Sequence, residues 1–150
     1  MKEIYYVYNN EAIASCVFLS ILNKTESLDL SRSCLILPFL LDDRTVNYFG
    51  RNINANLSLE QAITEQPKLF ISFNKRYLSL LPVAINSLML LSKSNQINID
   101  KNIRTQGNID IAGQDLGNRF KKIEEVMPTF LSIIEPYSTI QLYKTLKVRL

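Results

Sequence analysis

Residues 67–103 read PKLFISFNKRYLSLLPVAINSLMLLSKSNQINIDKNI, and the reading of this stretch decides the fold. Pro67 and Pro82 each stand where a first-turn proline is welcome, because its missing N–H has no intrahelical partner there, so each is expected to open a helix. After Lys93, Ile97 and Ile99 alternate with Asn98 and Asp100, and Asp100, Lys101 and Asn102 supply the turn of a wing-like hairpin. Helix, helix, hairpin is the order of the second half of a winged helix. Yet the helix expected to enter a DNA groove, residues 82–93, carries Val83, Ala84, Ile85, Leu88, Met89, Leu90 and Leu91. A helix apolar all round is normally buried, which favours protein over nucleic acid as the partner.

Working outward, the first expected helix follows the cap signal Asn9 and Asn10 before Glu11 and runs to about Asn23, buried along Ile13, Cys16, Val17 and Ile21. Residues 4–8 are aromatic and β-branched, fitting either a short strand or an extended arm. A second helical pattern begins near Ser31 and meets Pro38, which is expected to kink or end it. Asp42 or Asp43 caps a short helix through Tyr48 and Phe49, and residues 50–56 (GRNINAN) read as the longest polar loop.

Ser58 with Gln61 is a capping-box pattern. Beyond Pro67, Phe70, Phe73, Tyr77, Leu80 and Leu81 share one face, leaving Lys75 and Arg76 outside. After a polar stretch at 105–113, Leu116, Phe120, Ile123, Met127, Phe130 and Ile134 form a long amphipathic pattern bent by Pro128, and Ser138 with Gln141 starts a terminal helix. The expected class is mainly α with a small β-hairpin (α+β). It is a single domain in which a winged-helix-like part (57–111) is flanked by N-terminal helices (1–56) and C-terminal helices (112–150).

With 150 residues, a 47% hydrophobic content, 21% charged residues and a net charge of +3, the chain is long and apolar enough to build a core without a metal or disulfide staple. Its basic residues are scattered and announce neither nucleic acid nor anionic lipid. The longest apolar run, residues 34–41, is far short of the ~20 residues of a membrane span, and the N-terminus lacks a signal-like apolar centre. A cytoplasmic protein is expected. Cys16 and Cys34 have no second cysteine or histidine nearby and read as small hydrophobes.

The chain has no histidine, which removes Ser-His and Cys-His nucleophile pairs and the commonest metal ligand. Its four glycines form no phosphate-binding loop. Asp42 with Asp43 and Glu124 with Glu125 are explained by capping and solvation. No catalytic residue, cofactor or metal site is expected. Candidate protein contacts are Tyr5, Tyr6 and Tyr8 on the N-terminal segment and Tyr143, Lys144, Lys147 and Arg149 on the terminal helix. For a winged-helix DNA-binding regulator, the alternative, contacts would come from Asn86, Ser87, Lys93, Lys101 and Arg104.

Four segments in order, NNEAIASCVFLSILN, LILPFLLDDRTVNYF, PKLFISFNKRYLSLLPVAINSLMLL and FLSIIEPYSTIQLYKTLKVRL, resemble the middle-component family of three-component ABC systems. Asn10 and Ala12 match the family's first helix start, Leu37 and Pro38 its leucine-rich segment, and Leu81 and Pro82 its Val-Pro. Thr139, Ile140, Val148 and Arg149 match its terminal motif. Glu11 stands in place of a proline, Lys147 of a glycine and Leu150 of a proline. The resemblance implies a connector in a bacterial defence complex of the Lamassu type. There an SMC-like or Rad50-like ABC ATPase supplies nucleotide chemistry and DNA sensing, and an effector subunit, often a nuclease, supplies toxicity. This chain would meet DNA only through the complex.

Overall fold

In the computed structural model, residues 10–106 and 117–149 are described. Tyr5, Tyr6, Tyr8, Leu116 and most of the polar 105–113 stretch lie outside them. The chain is mainly helical with one small antiparallel sheet. Helix α1 (Glu11–Lys24) starts where the Asn10 carboxamide oxygen accepts from the backbone N–H groups of Ala12 and Ile13 at 3.0 and 3.2 Å. Strand β1 (Leu28–Asp29) leads into α2 (Leu30–Ser33), capped by Asp29, and then α3 (Ile36–Leu40). The second helix therefore breaks at Cys34 and Leu35 rather than at Pro38. Pro38 is the third residue of α3, where an N–H would have no intrahelical acceptor, so its missing donor costs nothing.

Asp42 caps α4 (Asp43–Arg51), which absorbs Gly50 and Arg51 from the expected polar loop. Ser58 accepts from the Gln61 N–H to start α5 (Leu59–Glu65), but the Gln61 side chain turns to Glu65 instead of completing the box. Helix α6 (Pro67–Ile71) opens on its proline as expected.

Helix α7 (Phe73–Lys93) corrects the reading of Pro82. It is a single element of 21 residues with Pro82 inside it, not two helices meeting there. The proline deprives the Leu78 carbonyl of its donor, and Leu78 and Pro82 both lie on the solvent side, where water can pair that oxygen. The helix ends in a Schellman motif: Asn95 takes φ 60°, its N–H bonds the Ser92 carbonyl at 3.1 Å, and the Gln96 N–H bonds the Leu91 carbonyl at 2.9 Å.

Strands β2 (Ile97–Ile99) and β3 (Asn102–Thr105) then pair with Ile99 opposite Ile103, so the turn falls on residues 100–102 as the sequence predicts. The third strand is β1, which joins β3 on its other side to give the order β1-β3-β2. Helices α8 (Asn118–Ile134), with Pro128 inside it, and α9 (Thr139–Thr145) close the chain.

Helix α1 packs along α7 and α8 and against β3, while α3 rests on α7 and α4 on α8. Phe39 lies at the centre, its ring 4.8 Å from Phe73, 5.1 Å from Phe130 and 6.3 Å from both Phe49 and Phe70. Aromatic pairs at these separations add to the area they bury. The core is continuous from Ala14 to Leu146.

Arg76, expected outside, is buried. Its Nε donates to the Pro38 carbonyl at 3.1 Å, and one terminal nitrogen donates to the Leu69 carbonyl at 2.8 Å and the Ser72 hydroxyl at 2.7 Å. Both carbonyls lie in last turns of short helices, where the helix itself offers no donor. The guanidinium also sits 4.0 Å from Asp42 and over the Phe73 ring. Apolar periodicity does not reveal such a role, because it arises from helix ends brought together by the fold.

Candidate protein interface

The C-terminal helix has one face in the core and one in solvent. Its capping box is complete: Ser138 Oγ accepts from the Gln141 N–H at 3.1 Å, and Gln141 Oε1 accepts from the Ser138 N–H at 2.8 Å. Leu142 and Leu146 are buried, whereas Ile140 is 70% exposed. Arg32 donates to the Tyr137 carbonyl and to Thr139 Oγ1, and Thr139 donates to Asp29, tying the start of α9 to α2 and β1.

Tyr143 is half-buried. Its hydroxyl donates to the Ser31 carbonyl at 2.6 Å, and its ring meets Tyr77 edge-on at 6.0 Å. Burial first, then the Tyr77 hydroxyl, pushes the Tyr143 phenol above its ordinary range, so it remains a neutral donor. Leu142, Leu146 and Tyr143 therefore close the domain's own core, leaving Lys144, Lys147 and Arg149 exposed.

The helix ends in a second Schellman motif. The Lys147 N–H bonds the Lys144 carbonyl and the Val148 N–H bonds the Tyr143 carbonyl, each at 3.1 Å, with Val148 packed on the core. Lys147 itself takes φ 57°, the left-handed conformation that favours glycine. The Arg149 N–H then donates to Asn74 Oδ1 at 2.8 Å, placing the tail on the first turns of α7.

The outer face of α7 was not legible from its composition. Val83, Ala84, Ser87, Leu88 and Leu91 are buried as an all-apolar helix suggests, but Leu78 and Ile85 are 46% exposed, Met89 50% and Leu90 53%. Leu78, Pro82, Ile85 and Met89 lie along one line at intervals of four, three and four residues. Lys75 and Lys93 stand at its ends. Among the described residues, neither they nor Lys144, Lys147 and Arg149 form a salt bridge.

The residues of the DNA reading fall elsewhere. Ser87 is fully buried and donates to the Val83 carbonyl at 2.7 Å, so it faces no groove. Asn86 is exposed but donates to the Glu11 carboxylate at 3.3 Å, which puts a negative charge where a phosphate would approach. Lys93, Lys101 and Arg104 are exposed on the end of α7 and the hairpin. Tyr5, Tyr6 and Tyr8 belong to the segment outside the described residues.

Among the described residues no cluster of His, Cys, Asp or Glu has a metal-binding arrangement, and no helix is long and apolar enough to cross a membrane. Cys16 and Cys34 are free, half-buried thiols. Burial, and then the Glu124 charge, raises the pKa of Cys16. Burial also raises that of Cys34, opposed by a Ser33 hydrogen bond and helped by Asp29. Both thiols are thereby kept protonated and poorly nucleophilic.

The family model described as ABC-three component (ABC-3C) system Middle Component 3 matches residues 2–150. No curated protein and no solved structure gives a significant match.

Proposed function

The chain belongs to the Middle Component 3 family of ABC-three component systems, and from that premise we propose that it is a non-catalytic connector. In this reading it bridges an SMC-like or Rad50-like ABC ATPase and an effector subunit of a bacterial defence complex, of the Lamassu type or a relative of it. The observation that carries the reading is the outer surface formed by α7 and the α9 tail. Apolar side chains stand in line there along α7, and the same surface carries cations that form no salt bridge among the described residues. Interface centres are built from such apolar anchors within a polar rim.

The chain brings no histidine and no phosphate-binding glycine loop, which supports leaving nucleotide and effector chemistry to the other components. The β1-β3-β2 sheet beside α7 supports a winged-helix-like part used for protein contact. DNA would be reached only through the complex. The protein would work in the cytoplasm, where its partners are made.

Co-expression with the ATPase and effector encoded beside it tests this function. The chain is expected to co-purify with them, and Lys144→Glu with Arg149→Glu is expected to weaken assembly at unchanged melting temperature. A well-behaved monomer that ignores both partners at micromolar concentration would refute the proposal.

A further inference from the structure

The geometry points to the outer face of α7 as the seat of an acidic amphipathic helix from another component, an assignment that rests on the connector reading. Leu78, Pro82, Ile85 and Met89 follow the alternating four- and three-residue spacing of a coiled-coil seam, and three of them expose about half their surface. At 1.5 Å per residue the seam is about 16 Å long. An added strand would need an open sheet edge to pair with, but this face is a helix whose backbone groups mostly bond within it, so side-chain packing is what it offers.

Charge selects the helix. Helix α7 contains no acidic residue, and Lys75 and Lys93 bracket its seam about 27 Å apart. Arg149 strengthens the Lys75 end, because its backbone is bonded to neighbouring Asn74. Glu11, held by Asn86 between the two ends, disfavours acid at the middle. The complementary partner carries carboxylates near both ends of its apolar stripe, about five turns apart, and a neutral centre.

A second copy of this chain does not meet that description. Antiparallel α7 helices would set Lys75 against Lys93, and parallel ones would set each lysine against itself, both like-charge pairings. Residues 1–9 supply a single carboxylate, Glu3, next to Lys2.

A photo-reactive benzophenone side chain placed at Ile85 of the full chain, in the co-expressed assembly, tests the seat directly. The expected cross-linked peptide comes from another component and has helix-spaced apolar residues with Asp or Glu near both ends. Lys75→Glu with Lys93→Glu should lower assembly at least tenfold at unchanged melting temperature, and reversing the partner's acidic residues to Lys should restore it. A cross-link to a second copy, to residues 1–9 or to a basic or extended segment overturns the proposal. So does assembly unaffected by both Ile85→Asp and the lysine reversals, a result that leaves the connector reading standing. Failure of the unaltered chain to assemble removes the connector reading and this proposal together.

Discussion

Arg76 shows how a single buried charge can join the ends of two short helices. It donates to carbonyls of α3 and α6, lies near Asp42 and covers Phe73. Replacing it with Met keeps the apolar stem but takes the guanidinium donor from the Pro38 carbonyl and leaves the Leu69 carbonyl with the longer bond from the Ser72 hydroxyl at 3.3 Å, so Arg76→Met is expected to cost about 3 kcal/mol in denaturant unfolding. Lys147 gives the opposite case. Its φ of 57° strains a side chain where glycine would not be strained, and Lys147→Gly is expected to gain about 1 kcal/mol, less the entropy glycine adds to the unfolded chain.

Tyr48 and Glu65 supply a pH-dependent contact. The Tyr48 hydroxyl donates to Glu65 at 2.6 Å, and this bond, followed by that from Gln61, lowers the carboxyl's pKa. The contact stabilises the fold above the ordinary glutamate pKa, and its contribution is lost as pH falls through the lower folded-state value. Tyr48→Phe should raise the Glu65 midpoint in an NMR titration. The Lys147 strain was foreshadowed in the sequence, where lysine stands in place of a family glycine. Arg76 was not, since hydropathy alone assigns an arginine to the surface and its acceptors at Pro38, Leu69 and Ser72 come together only where α3, α6 and α7 meet.

At the scale of elements, the hairpin, most caps and the terminal helices were legible because each depends on neighbouring residues: Asn10, Asp42 and Ser138 as caps, and residues 100–102 as the turn. Pro82 was misleading. Local chemistry favours a helix start there, but packing of Val83, Ala84, Leu88 and Leu91 against the core carries the helix through the proline. Leu88 and Leu91 are 3% and 4% exposed, so Leu88→Ala or Leu91→Ala should each cost about 2 to 5 kcal/mol in thermal or denaturant unfolding. Ile85→Ala, on the opposite face, should change stability little. The same helix thus serves the core with one side and presents an apolar seam with the other, a division that composition conceals and burial reveals.

Across the whole molecule, the family was legible because four separated segments agree in order, while the exposed apolar line on α7 was not. Lys144, Lys147 and Arg149 were named from the terminal helix, and the Arg149 backbone reaches α7 only because the tail folds back on Asn74. The most direct test of the connector role is native mass spectrometry of this chain mixed with the ATPase and the effector, separately and together. The account predicts a binary complex with each and a ternary complex containing all three, with no direct ATPase–effector complex when this chain is left out. Competition between the two partners for this chain, or an ATPase–effector complex that forms equally well without it, would contradict the account.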